Sequence, residues 1–303
     1  MELTGKVAVV TGSGRGLGAA YALALAASGA AVVVNDVDAD AAEQTVKQIT
    51  AAGGRAVPVV AAVGDSASAD ALVAAAVDGF GRLDVMVTNA GILRDRVLWK
   101  MTDEDFDDVV RVHLRGTFVC ARAAAVRMRE QGGGGRLILA GSPAGQRGNF
   151  GQTNYAAAKA GIAAMVRTWA MELSRAGITV NAVIPNAATA MTKTIPAFAP
   201  HIDAWEQHGT PLPDFLRKGI GFGTAEDVAG AVVFLASDAA KDVNGQCVGI
   251  GGDKLTLWSH PEEVAAAFTD GGWSADAIAT AWPTSVGAEP QSYGIAALQQ
   301  LSS

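Results

Sequence analysis

Two cysteines in 303 residues, Cys120 and Cys247, are too few and too widely spaced for a disulfide framework or a zinc cluster. They fit a reducing compartment, and buried, unreactive thiols are the expected form. Basic charge is also in short supply. The 23 Lys and Arg are outnumbered by 30 Asp and Glu, a formal net charge of −7, which gives little electrostatic support for binding a nucleic acid. An anionic substrate would need a local basic pocket. The first apolar run opens within a few residues of Met1, leaving no room for a charged segment followed by a signal core, so a cytoplasmic location is expected. Residues 17–34 carry no charge, yet Ser28-Gly29 divides them into a helix and a strand, and no membrane span is expected. The final Leu-Ser-Ser is not a peroxisomal address.

What is abundant is apolar. Half of the residues are hydrophobic, enough for one large core, and an α/β chain of this length need not be divided. Short β-branched runs at residues 7–11, 31–35, 56–60, 85–88, 137–140, 179–184 and 247–250 alternate with longer alanine-rich stretches. Each run is nearly continuous in apolar residues, as strands are when helices cover both faces of their sheet. The intervening stretches have the length of crossover helices, with starts at Asp38 and at Thr102-Asp103 and another helix over about residues 153–175. The pattern predicts an α/β fold over residues 1–252: a doubly wound, Rossmann-like parallel sheet of about seven strands with helices on both faces. Two segments depart from it. Residues 186–222 contain Pro196, Pro200, Pro211 and Pro213, and read as a lid over a pocket or as a surface insertion. Residues 253–303 form an extension with short helical patterns at 261–268 and 274–281, too small for its own core and expected to dock on the main body or on a neighbouring subunit.

The first strand runs into Thr11-Gly12-Ser13-Gly14-Arg15-Gly16-Leu17-Gly18 and then a helical pattern. Glycines there let the backbone turn sharply and approach a pyrophosphate, while free N–H groups at the helix start face its charge. Gly12, Arg15, Gly16, Leu17 and Gly18 are the candidate cofactor contacts of this loop. The second strand ends at Asp36, where a carboxylate can accept hydrogen bonds from ribose hydroxyls and would repel a 2′-phosphate, favouring NAD over NADP. Arg15 pulls the other way, because a guanidinium in the loop could pair with that phosphate. Asn89-Ala90-Gly91 follows the fourth strand at the edge where open parallel sheets bind ligands, and leaves space for a ribose.

Ser142 follows the fifth run, Tyr155 lies thirteen residues later, and Lys159 sits four residues beyond Tyr155. That last spacing puts a phenol and an ammonium on one helical face, where the cation is expected to lower the phenol's pKa toward working pH. Tyr155 could then exchange a proton with a substrate hydroxyl or carbonyl, with Ser142 holding the reacting oxygen. Tyr155 and Lys159 also count among the expected cofactor contacts.

With these motifs in order, the chain from about Lys6 to Gly252 resembles the short-chain dehydrogenase/reductase family, whose Ser, Tyr and Lys motif matches Ser142, Tyr155 and Lys159. The resemblance implies a Rossmann-like fold, a nicotinamide cofactor and a homodimer or homotetramer, with the helices after Thr102 and Thr153 as contact faces. Where the family usually carries a proton-relaying Asn, this chain has His113, which reads as a relay or as a hydrogen-bonded packing histidine. Where many relatives have an Asp near the adenine it has Ala62, leaving adenine to the Val63 backbone and apolar contact. The segments Asn89-Ala90-Gly91-Ile92-Leu93-Arg94-Asp95-Arg96, His113-Leu114-Arg115-Gly116, Gly148-Asn149-Phe150-Gly151-Gln152 and Pro185-Asn186-Ala187 resemble the (3R)-hydroxyacyl-CoA dehydrogenase part of multifunctional enzyme type 2 and its stand-alone bacterial relatives.

This branch implies NAD-dependent oxidation of a (3R)-hydroxyacyl-CoA, with some of Arg94, Arg96, Lys100 and Lys193 meeting the thioester. A dehydrogenase for hydroxysteroids or other bulky alcohols shares the same chemistry. A non-catalytic NAD-binding sensor would keep the fold but has no chemical need for Ser142, Tyr155 and Lys159 together.

Overall fold

A computed structural model describes residues 1–189, 192–194 and 197–295. Its centre is one eight-stranded sheet: β1 (Val7–Val10), β2 (Ala31–Asp36), β3 (Arg55–Val60), β4 (Val85–Thr88), β5 (Gly135–Ala140), β6 (Ile178–Pro185), β7 (Cys247–Gly251) and β8 (Lys254–Trp258). The spatial order is β3-β2-β1-β4-β5-β6-β7-β8, parallel up to β7, with β8 antiparallel at the edge. Among the described residues ten α-helices connect or follow these strands: α1 (Gly16–Ala27), α2 (Ala39–Ala51), α3 (Ser66–Phe80), α4 (Asp103–Val109), α5 (Gly116–Gln131), α6 (Pro143–Arg147), α7 (Thr153–Leu173), α8 (Ala199–His208), α9 (Ala225–Ala236) and α10 (Ala275–Ala281).

Unbroken apolarity in the strands reflects burial on both faces. Ala8, Val10, Val32 and Val34 point into one cluster with Tyr21, Leu25 and Val232, while Val7, Val9, Ala31 and Val33 point into the other with Leu72, Met86 and Val166. Fully burying side chains of valine to leucine size contributes about 1.5–3 kcal/mol each, which makes the two-sided sheet the framework on which the loops hang. Reversal of the strand order between β1 and β4 opens a crevice beyond their carboxyl ends.

All seven predicted strands form, within two residues of the predicted bounds. The eighth was not foreseen: Lys254–Trp258 turns back after Gly251 and pairs Trp258 with Cys247 and Lys254 with Gly251. The extension therefore begins as sheet. The helical pattern expected at residues 261–268 is absent: among the described residues none buries this segment, and Phe268 is 92% exposed. The second pattern does form as α10, capped by the Ser274 hydroxyl, which accepts from the Ala277 N–H at 3.1 Å.

The proline-containing segment after Asn186 is not loose chain where it is described. Phe198, Ile202, Leu212, Leu216 and Phe222 form a small apolar cluster of their own, separate from the two sheet cores. Pro196, one of the prolines that marked this segment, lies outside the described residues. No described helix is long and apolar enough to cross a membrane.

Tyr21 is fully enclosed and its hydroxyl has no partner, so burial pushes its pKa up. Removing an unpaired buried hydroxyl costs nothing in hydrogen bonding. Tyr21→Phe is expected to leave stability unchanged or raise it by about 1 kcal/mol, read as the urea midpoint.

Candidate active site

The glycine loop is braced from three sides. Gly12 and Gly16 have φ of 61° and 56°, conformations that other residues rarely adopt. A Cβ at Gly18 would collide with the Gly12 carbonyl and the Asn89 side-chain amide. Asn89 donates from Nδ2 to the Thr11 and Gly12 carbonyls at 3.1 and 3.0 Å, so the start of the Asn-Ala-Gly turn is pinned to the loop, and Ala90 packs on Gly12. Asn35, which sequence reasoning gave no role, is buried and accepts weakly from the Gly12 N–H. It also donates to the Val59 and Ala61 carbonyls at 3.0 and 2.9 Å, tying loop, β2 and β3 together. A polar residue ending an otherwise apolar strand was the available signal.

Asp36 stands at the tip of β2. One carboxylate oxygen accepts from the Gly14 N–H at 2.9 Å and the other from the Asp38 N–H at 3.1 Å, which orients the group over the loop. Arg15 pairs with Asp38 across the exposed rim, so its charge is already matched. The Asp38 carboxyl is held below its ordinary value by the Ala41 N–H and by Arg15. Leu17 leans on the apolar cluster beneath α1, and the Val63 side chain is packed against Gly116 at the start of α5. No acidic residue occupies the first turn of α1, leaving its N–H groups facing the crevice without a competing charge. These features form a cradle that side chains would fill, and they suit the phosphates and ribose of a nicotinamide dinucleotide.

Ser142, Tyr155, Lys159 and His113 converge next to this cradle. Ser142 is the N-cap of α6, its hydroxyl accepting from the Ala144 N–H at 3.2 Å, which sets the serine at the carboxyl end of β5. Tyr155 and Lys159 rise from the first two turns of α7. Asn154 anchors that helix start: wholly buried, it donates to the Arg94 and Asp105 carbonyls and accepts from the Tyr155 N–H at 2.8 Å. It too was missed, since an Asn at a helix start also reads as ordinary capping. Lys159 Nζ donates to the Ala140 carbonyl at 2.6 Å and lies 5.6 Å from the Tyr155 ring centre. The His113 ring stands perpendicular to the Tyr155 ring, centres 5.1 Å apart, with Nε2 against the Ile92 backbone and Nδ1 buried without a partner.

His113 lies in a π-helical turn, Val110–Arg115, between α4 and α5. Such turns widen a helix locally and recur at functional positions. Gly91 is the counterpart: a Cβ there would strike the imidazole. The spacing of residues 89–91 and 113 thus serves one packing contact.

Burial governs the electrostatics. It lowers Lys159 to a pKa of about 7 and, with the Lys159 charge adding to it, lowers His113 to about 3. It also raises the Tyr155 phenol, with the Ser142 hydroxyl acting the other way. The expected lowering of Tyr155 by Lys159 is therefore overturned in this state. The Lys159 ammonium is turned to the Ala140 carbonyl, and enclosure is the largest influence on the phenol. Asp95 contributes to the same rise; its own carboxyl is half-buried, raised by desolvation, and held by Gln152 Nε2 at 2.8 Å.

Of the cations expected to meet a thioester, Arg96 pairs with Asp105, Arg94 lies 3.8 Å from Asp108, and Lys193 is shared by Asp203 and Glu206. Only Lys100 of the four has no ion pair among the described residues.

A family model described as Enoyl-(Acyl carrier protein) reductase matches residues 12–252. The chain belongs to the short-chain dehydrogenase/reductase family. It is 43% identical over 282 residues to a hydroxyacyl-CoA dehydrogenase of Mycobacterium tuberculosis, covering 89% of this chain and 84% of that one. It is 46% identical over 205 residues to peroxisomal multifunctional enzyme type 2 of Mus musculus, covering 64% of this chain and 27% of that larger protein. A 3-oxoacyl-[acyl-carrier-protein] reductase of Synechocystis is 43% identical over 253 residues, 82% of this chain and 97% of that one. The crystal structure of a short chain dehydrogenase from Mycobacterium avium superposes with a TM-score of 0.82 at 35% identity, covering 97% of this chain and 99% of that one. The family and the branch read from the motifs both hold, and this short-chain dehydrogenase/reductase is an oxidoreductase acting on CH–OH groups. Its family binds a nicotinamide cofactor.

Because His113 is buried neutral, the unfolded chain takes up its proton first as the pH falls. Stability owed to this group is complete above about 6.5 and is lost toward pH 3, at about 1.4 kcal/mol per pH unit. Between pH 6.5 and 4 the urea midpoint of the wild type should fall more steeply than that of His113→Gln.

Proposed function

We propose that this short-chain dehydrogenase/reductase uses NAD to oxidise a (3R)-hydroxyacyl-CoA to the 3-oxoacyl-CoA. The reading rests above all on Ser142, Tyr155 and Lys159 meeting at the end of β5, beside the glycine cradle. The relatives in Mycobacterium and mouse bear names of the hydroxyacyl-CoA dehydrogenase branch, which supports the substrate class.

Gly12 to Gly18, Asp36, Val63 and Asn89 to Gly91 would hold the cofactor, with Tyr155 and Lys159 bordering its nicotinamide end. The nicotinamide, when bound, supplies the hydride acceptor. Ser142 donates to the substrate oxygen and keeps it in place as its charge changes. Tyr155 takes the hydroxyl proton in oxidation and returns it to the carbonyl in reduction. A buried phenol gives up its own proton reluctantly, so Lys159 is needed: with a pKa of about 7 it is charged in a large share of molecules at neutral pH, and that charge favours the phenolate. His113 acts here as a neutral prop that fixes the turn at Gly91 and Ile92 and walls one side of Tyr155. An imidazole that protonates only near pH 3 is a poor proton carrier at neutral pH, which favours the packing role over the relay.

NAD is favoured over NADP because the Asp36 carboxylate is oriented at the ribose position while Arg15 is already paired with Asp38. Residues 1–252 form the catalytic body in this reading, with 186–222 bordering the substrate and 253–303 as an added margin. A homodimer or homotetramer fits as well, since α5 and α7 leave Phe118, Val126 and Met171 exposed. The cyanobacterial reductase favours a second reading, reduction of a 3-oxoacyl thioester by the same residues run backward.

Tyr155→Phe should lower kcat for (3R)-hydroxybutyryl-CoA at least a hundredfold while NADH still binds, as followed by its fluorescence. Full activity in that variant would overturn the mechanism. Asp36→Ala should raise the KM for NAD about tenfold or more and narrow the preference over NADP; an unchanged ratio of the two cofactors would remove Asp36 from the site.

A further inference from the structure

Between the ends of β6, β7 and β8 lies a cavity of about 320 Å³ that none of the site residues named so far explains. Its walls are Pro143, Ile184, Ile220 and Ile250 on the body, and Thr256 and Trp258 on β8. Pro143, which follows Ser142 in the chain, lines its end nearest the site. In the order of the sheet it lies across β5 from the glycine cradle, which occupies the ends of β1, β2 and β4. A substrate with its alcohol at Ser142 and Tyr155, and with the cofactor on the β1–β4 side, has this hollow on its other flank.

The hollow is built in rather than left over. Gly249, on β7, faces it, and a Cβ there would run into Thr256 Oγ1 and the Trp258 indole. Asn186 forms a rigid corner: its N–H donates to the Ile250 carbonyl at 2.9 Å, its carbonyl accepts from Gly223 at 3.1 Å, and its side chain donates to Ile220 at 3.2 Å. Pro143, Ile184, Ile220, Ile250 and Leu257 give the walls an aliphatic part that slightly outweighs the polar part, which includes Lys254 on β8, and about 300 Å³ is the lower end of ligand-site volumes. An aliphatic chain suits the isoleucine and proline side of these walls, with the exposed Lys254 bordering the hollow on β8.

We infer that β8, the unforeseen strand that opens the extension, is the outer wall of an acyl-chain pocket, and that Thr256 and Trp258 set the length of chain accepted. This rests on the proposed hydroxyacyl-CoA reading and refines it. The antiparallel turn at Gly251-Gly252 is what brings these two side chains to face the end of β6.

The test compares kcat/KM for (3R)-hydroxydecanoyl-CoA and (3R)-hydroxybutyryl-CoA in the wild type, Thr256→Phe and Trp258→Leu, on the full chain. Filling the hollow with Thr256→Phe should lower the ten-carbon to four-carbon ratio at least tenfold. Widening it with Trp258→Leu should raise that ratio at least threefold. Opposite shifts cannot both come from general misfolding. If the two thioesters respond in parallel in both variants, the chain runs elsewhere and the inference fails while the thioester reading stands. If the wild type turns over neither thioester, that reading and this inference fall together.

Discussion

A fully enclosed ammonium bonded to a backbone carbonyl is the constraint on which the site depends. Lys159 reaches from α7 to the last residue of β5, Ala140, and satisfies a carbonyl at the strand's free end. The next residues are Gly141 and Ser142, so one hydrogen bond locks the helix bearing the phenol to the strand bearing the serine. Enclosure costs the ammonium part of its charge, and the drop of its pKa to about 7 expresses that cost. The same enclosure raises the phenol. Two groups whose ionised forms are each disfavoured alone, but oppositely charged, are suited to handing a proton over and taking it back within one pocket.

The cofactor side follows a different physical rule. There the backbone is the ligand, and side chains keep it open. Asn35, Asp36 and Asn89 each spend their hydrogen bonds on main-chain groups of the loop, β3 or the turn after β2. At Gly12, Gly14 and Gly18 a Cβ would collide with its surroundings, while Gly16 has open space and a positive φ that favours glycine. In the proposed NAD reading, specificity for the adenosine end would come from the oriented Asp36 carboxylate, with Arg15 paired to Asp38.

The β7–β8 end of the sheet is shaped by elements that the strand pattern leaves out. β8 adds an antiparallel edge, and three backbone and side-chain hydrogen bonds fasten Ser292 and Gly294 to Arg147 at the end of α6. The extension thus touches the sheet at β7 and returns to the helix that Ser142 caps. Most of its large side chains, Phe268, Trp282 and Tyr293 among them, stay exposed, so these few ties carry its placement.

Seven strands, the glycine loop, Asp36 and the Ser142, Tyr155, Lys159 order were legible in the sequence because each depends on local pattern. Two-sided burial writes itself as continuous apolar runs, a tight turn as glycine, and a shared helical face as a spacing of four. The family resemblance followed from those same residues. Other features were decided only in three dimensions. Whether the phenol is lowered or raised depends on where the Lys159 ammonium points and how much water surrounds it. The bracing by Asn35 and Asn154 joins residues far apart in the chain. β8 forms only because β7 offers an open edge, whereas residues 261–268, with a helical pattern but no burial among the described residues, form no helix. Local sequence sets what a segment can become, and the neighbour it meets sets what it does become, because burial and hydrogen-bond satisfaction belong to the pair and not to either segment alone.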